Sequence, residues 1–262
     1  MKKIILVVLT TLSLNATDLV VDIAKNTLMT SQKSFESGSH DIEVDSENKA
    51  LFVAFRYNLD SSSNINYFLS SSVGLSEYTN NINGLNIKSN VINIGGGARL
   101  KLNKNSYISL NSGITYSDVS TNITNDLDAL TYQIDVKYDY ETTINDYETY
   151  LTLFSGYYYT KVDDLAVDNS SSILSHIKVG IYSPELIQLA NLPFKVELYA
   201  QETFLGKDIS DNLDMSNFTT IGMAFHLYTN TIVPLVDNVY LDINYVTGDN
   251  IDGLHIGLAL SF

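Results

Sequence analysis

The sequence predicts an all-β protein: an antiparallel up-and-down barrel of about twelve strands that spans a membrane. Three observations lead there. Apolar and polar residues alternate strictly in one segment after another, which marks strands with two different environments. The polar phase carries charges inside the strands, while the apolar phase is broad and recurs in every strand. The segments are about the 9–11 residues that a tilted membrane strand needs, with tyrosines clustered near their ends, where an interfacial girdle sits.

Composition narrows the field. The 262 residues include no Cys, so there is no disulfide framework, thiolate metal site or thiol catalysis. A formal charge of -15 argues against nucleic acid, because phosphate binding needs a basic surface. Mean hydropathy is +0.03, a value a soluble protein shares.

The first element, residues 1–16, reads as a signal peptide. Lys2 and Lys3 precede an apolar run from Ile4 to Leu14, and the small Ala16 follows. That run is short for a helical span, which needs about 20 apolar residues. Residues 17–36 form a lead-in. Leu19, Ile23, Leu28 and Met29 fall roughly on one helical face, with Thr17 or Asp18 to cap it. The segment is either a short helix in or near the lumen or a disordered tail.

The barrel occupies 37–262. Eleven strands are expected near 50–59, 65–76, 91–102, 106–116, 131–140, 149–160, 172–182, 193–202, 217–228, 238–246 and 253–262. In "YQIDVKYDY", Tyr132, Ile134, Val136, Tyr138 and Tyr140 oppose Gln133, Asp135, Lys137 and Asp139. In "FKVELYAQ", Phe194, Val196, Leu198 and Ala200 oppose Lys195, Glu197, Tyr199 and Gln201. Single-chain bacterial barrels have an even number of strands, so "HDIEVDS" (40–46) is taken as the first strand.

Numbering back from a periplasmic C-terminus, the tight connections "DSSSN" and "NKN" fall on the periplasmic side, with 141–148, "SPELIQLANL" and "TNTIVPLVD". The last two are apolar enough for short helical or packed turns. The loops at 77–90, 117–130, 161–171, 203–216 and 247–252 fall outside, as longer outer loops do in such barrels. The polar phase places Arg56, Arg99, Lys101, Asp135, Lys137, His176, Lys178, Lys195, Glu197, His226, Asp242 and His255 in the lumen. Gly74, Gly95, Gly97 and Gly113 would leave room there for the lead-in helix or a bulky side chain.

The final strand alternates to the end of the sequence through Leu254, Ile256, Leu258, Leu260 and Phe262. This resembles the assembly signal of bacterial outer-membrane proteins, which the barrel-assembly machinery reads. A lead-in followed by about twelve strands resembles the translocator barrel of autotransporters. With only residues 17–36 ahead of the barrel in place of a large passenger, the sequence resembles the solitary outer-membrane autotransporter-like β-barrel family. The stretch "SNVINIGGGARLKLNKNSYISLNSGITYSD" carries most of that likeness, which is architectural and covers roughly 40–262. It implies an outer-membrane location, a monomer, and contact with outer-membrane lipids and lipopolysaccharide.

Catalytic signatures are weak. Lipid-cleaving barrels need a Ser beside an activating His on the lipid-facing side. Ser175 and His176 are adjacent, so they point to opposite faces, while His226 and His255 face the lumen and His40 lies by the first strand. Asp163, Asp164, Asp211 and Asp214 have no His for an omptin-like protease. "GGGAR" lacks the Lys-Ser/Thr of a phosphate loop, and "DNLD" and "TNDLDAL" are not ordered calcium loops. No enzyme, cofactor or metal is expected. The expected role is an envelope anchor or surface-interaction protein. A small-solute channel is the alternative, and an envelope-lipid enzyme is less supported.

Overall fold

Period-two alternation commits each segment to one face up and one face down, and pairing then closes the sheet. The computed structural model describes residues 34–42, 46–59, 64–80, 85–121, 127–162, 170–185, 187–189, 192–207, 210, 215–229, 238–249 and 252–261. The strands are β1 (Ser34–Ile42), β2 (Ser46–Asn58), β3 (Ile65–Asn80), β4 (Leu85–Lys101), β5 (Ser106–Thr121), β6 (Leu127–Ile144), β7 (Tyr147–Val162), β8 (Ser170–Tyr182), β9 (Ile187–Leu189), β10 (Leu192–Leu205), β11 (Asn217–Tyr228), β12 (Asn238–Gly248) and β13 (Asp252–Ser261). Neighbours in sequence pair antiparallel, except that β8 pairs with β10 and β9 folds back on β10. β13 pairs with β1 and β10 with β11, so the sheet closes on itself and leaves no free edge among its long strands.

The strands tilt. From Ser37 the row of paired residues runs through Leu51, Leu75, Asn90 and Asp118 to Asp128. The other way it runs through Leu258, Leu241, Phe225 and Val196, whose carbonyl accepts from Ser183 N, and so approaches the opposite end of β6. A row that returns displaced along its strand is the stagger of a closed barrel.

The two faces are inverted relative to a soluble protein. Ile94 is 68 % exposed and Leu69, Leu110, Ile134, Leu198 and Ile221 are also exposed, whereas Asp135 is 2 % exposed and Thr115, Thr160 and Glu197 are buried. The apolar residues lie on the outer face and the polar ones on the lumen face. No described helix is long and apolar enough to cross a membrane. Crossing by strands is the alternative, since a closed sheet pairs its backbone groups internally.

Several boundaries differ from the sequence reading. The first strand is Ser34–Ile42, not 40–46, and it starts inside the stretch assigned to the lead-in. After Phe35 its outward register positions are Ser37, Ser39 and Asp41, so it shows no greasy alternation to read. Residues 141–148 are mostly strand: β6 and β7 run to a two-residue turn at Asn145 and Asp146, with φ of 50° and 68°. Positive φ at both central residues gives the turn whose twist matches the strands. Part of "SPELIQLANL" is the short β9 rather than a helical turn. Most of "TNTIVPLVD", the signal peptide and the lead-in before Ser34 lie outside the described residues.

Candidate functional site

The lumen wall is where the chemistry-bearing residues gather. Strand alternation puts every second side chain there, and pairing stacks those side chains into rows. Near the end with the Asn145–Asp146 turn, the row from β4 to β8 runs Lys101, Tyr107, Asp139, Thr152 and Lys178. Its neighbour runs Arg99, Ser109, Lys137, Phe154 and His176.

These side chains form two groups. In the first, Lys137 Nζ is 2.9 Å from Asp139 Oδ1, and Thr152 donates to the same oxygen at 2.9 Å. The Arg99 guanidinium lies 4.1 Å above the Tyr107 ring and 3.7 and 3.8 Å from Asp139 and Glu141. Lys101 is exposed, 5.8 Å from the same ring. His176 stacks on Phe154 at 4.8 Å.

The second group centres on Glu197. Its carboxylate accepts from Tyr150, lies 3.2 Å from Lys178 Nζ, and faces His226 Nε2 at 2.9 Å. A buried carboxylate needs such partners, because desolvation is costly without them. Tyr199 donates to Asp242 at 2.9 Å, Asn244 Nδ2 donates to Asp242 at 2.9 Å, and Lys178 sits 3.9 Å above the Tyr199 ring. His226 stacks on Tyr240 and meets Tyr182 edge-on. Lys195 pairs with Glu148 at 2.8 Å. Tyr150 to Glu197 and Tyr199 to Asp242 each skip a strand, so these bonds brace the wall's curvature.

Two glycines make room for this group. A methyl at Gly180 would fall inside the ring of Tyr150, its cross-strand partner. Gly222 stands in the same relation to Tyr199. Farther along, Phe68 lies 2.8 Å from where a methyl on Gly97 would sit, so a bulky side chain takes that space. Asp135 accepts from Asn111, beside Asn93 to Thr115 at 2.8 Å and Thr131 to Thr160 at 2.9 Å.

Arg56 lies opposite Ser70, and His255 lies in register with Asn244 and His40. Of the terminal strand, Leu254 and Ile256 are exposed on the outer face, Leu258 and Leu260 share their register phase, and Phe262 lies outside the described residues. Ser175 faces outward and hydrogen-bonds Ser155 at 2.9 Å, on the opposite side of the wall from His176. Tyr158, grouped by sequence with an interfacial cluster, is instead buried in the lumen against Gly156. Sequence reasoning misses Tyr150, Tyr182 and Tyr240 as lumen residues. Their period-two phase with Lys178, Thr152 and Asp242 is the signal that could have found them.

No protein-family model matches the chain, and no curated protein matches it in sequence. Solved structures do. The translocator domain of the autotransporter NalP from Neisseria meningitidis superposes with a TM-score of 0.69 at 9 % identity, covering 96 % of this chain and 98 % of that one. The beta domain of the Bordetella autotransporter BrkA gives 0.60 at 15 % identity, covering 87 % and 97 %. With its inverted faces and closed sheet, the chain has the fold of an outer-membrane β-barrel of the autotransporter-translocator kind.

Proposed function

We propose that this protein is a resident of the bacterial outer membrane, a barrel of about twelve spanning strands with β9 as a short appendage, serving as an envelope anchor or surface-interaction protein rather than a catalyst. The observation that carries this is the inversion of the faces, with Ile94 exposed outward and Asp135 and Glu197 buried inward. Such a surface is stable against lipid and unfavourable against water. In this reading the tight turns at 102–105 and 145–146 lie at the periplasmic end, where such barrels carry their short turns.

An occupied lumen is favoured over an open channel. Thr115, Ser117, Thr131 and Thr160 face the lumen and are 0–3 % exposed. Side chains this small do not fill a bore wider than that of an eight-stranded barrel. The occupant in this reading is the lead-in ahead of β1. Planar-bilayer recordings test it: the mature chain should conduct little and a variant lacking 17–33 should conduct more. A wild-type barrel that already conducts freely, unchanged by the deletion, would establish the channel instead. Outer-membrane fractionation with heat-modifiable migration in detergent gels tests location, and recovery as a soluble periplasmic protein would end that reading.

A further inference from the structure

The strand pair that closes the barrel, β1 with β13, sets two histidines against each other. His40 and His255 hold directly opposed register positions, and opposed residues share a face. That face is the lumen, because Leu254 and Ile256, on either side of His255, are exposed on the outer surface. The next pair on the lumen phase is Gly38 with Gly257, so two positions without side chains lie beside the histidines. On β12, Asn244 stands opposite His255 and Asp242 opposite Gly257. Asn244 is buried and donates to Asp242 at 2.9 Å, so this flank of the seam is polar and carries a carboxylate. On β2, Asn48 stands opposite His40. The chain has four histidines. The other two have no such partner in register: His176 stands against Phe154 and Thr203, and His226 against Lys195 and Tyr240.

We propose that the juxtaposition of His40 and His255 takes up one divalent first-row transition-metal ion, such as zinc or nickel, and so ties the first strand of the barrel to the last. Directly opposed residues of an antiparallel pair have Cβ atoms about 4.5–5.5 Å apart. Two imidazoles can span that separation and still meet one ion at about 2.0–2.1 Å from each nitrogen. Imidazole selects zinc, nickel and copper over calcium and magnesium, which take oxygen ligands. Two nitrogens leave coordination positions for water, and the glycine pair leaves space for that water. The Asp242 carboxylate nearby favours positive charge at the seam. Among the described residues no three His, Asp or Glu side chains gather into a metal cage, which sets this two-histidine clip apart from a closed structural site. Sequence spacing does not announce the pair, since its members come from opposite ends of the barrel. The proposal rests on closure of the sheet and not on the envelope role proposed above.

The test is calorimetric titration of zinc chloride into the untagged mature barrel in detergent. Wild type should bind one ion per barrel. His40→Gln, His255→Gln and the double variant should each bind at least about tenfold more weakly, since losing a ligand costs no less than losing an outer-shell partner. His176→Gln is the control and should bind zinc as wild type does. Calcium chloride should give no binding heat. An ion held only by the closed barrel stabilises it. Saturating zinc should therefore raise the temperature of the heat-modifiable gel shift in wild type and leave it unmoved in the double variant. Metal-free migration shows whether each variant is folded, and if the double variant does not fold, either single variant carries the same test. Zinc affinity that survives in the folded variants would overturn the proposal. So would no binding by wild type, or an equal loss in His176→Gln.

Discussion

The strands from β3 to β7 are 16 to 18 residues long, whereas β11, β12 and β13 have 12, 11 and 10. Both sides alternate with period two and both turn apolar residues outward. The tall side spends its extra length beyond the apolar belt, and toward that end of the belt its lumen face is neutral: Asn93 with Thr115, Thr131 with Thr160. The short side has little beyond the belt, and the β10–β12 wall is braced by a buried carboxylate, a histidine and tyrosines set over glycines. A membrane barrel wall can thus gain rigidity in two ways. It can extend its hydrogen-bonded ladder past the apolar belt, as the tall side does, and it can cross-link its lumen face, as both sides do near the Asn145–Asp146 end.

The largest effect should come from removing the cross-link. Glu197→Ala leaves buried His226 and half-buried Lys178 without their shared partner, and since losing one member of a fully buried pair costs about 3–5 kcal/mol, a loss toward the lower end of that range is expected. Reversible unfolding in detergent should show that loss. A change below about 1 kcal/mol would mean that the bonds around Glu197 are incidental and that the short side is held by its ladder alone.

Next is a charge placed in the belt of the tall side. Ile134 is half exposed on the outer face, and Ile134→Lys at mid-belt should cost about 2–4 kcal/mol in vesicles. Asp128→Lys, above the belt on the same strand, should be close to neutral. Similar costs at both sites would put them in one environment, and the division between the apolar belt and the polar strand ends would fall.

Much of this was legible in the sequence because the period-two signal encodes face directly. Asp135, Lys137, Lys195 and Glu197 stand on the buried phase in which they read. Strand ends were less legible. The pattern changes from apolar–polar to polar–polar where a strand leaves the lipid, as at Ile92 to Asn90, and polar–polar reads as loop although the ladder continues. β1 is misplaced for the same reason, since Ser37 and Ser39 give it no apolar phase. Aromatic direction was the other gap. Tyr157, Tyr158 and Tyr159 look like one girdle in sequence, yet Tyr158 points inward.

A third prediction returns to the short side. At Gly222 an added methyl would enter the Tyr199 ring, so Gly222→Ala should cost about 1–3 kcal/mol, the usual range for overpacking. If ring placement is the cause, Gly222→Ala combined with Tyr199→Ala should cost less than the two changes summed. Strict additivity in that double-mutant cycle would remove the glycine–tyrosine fit as a brace.

The smallest effect should be at the turn between β6 and β7, the tightest connection on the tall side. Asn145 and Asp146 both hold positive φ, a region that costs an ordinary L-residue about 1–2 kcal/mol. Asn and Asp reduce that cost because their short polar side chains tolerate the left-handed region. Asn145→Ala should therefore destabilise by about 1 kcal/mol, and Asn145→Gly should be neutral or slightly stabilising. The two variants remove the same side chain functions, so a difference between them isolates backbone conformation. If alanine and glycine behave alike in reversible unfolding, the turn does not hold both residues at positive φ. The register from Ile144–Tyr147 to Ala129–Val162 would then be set by cross-strand packing rather than by the turn.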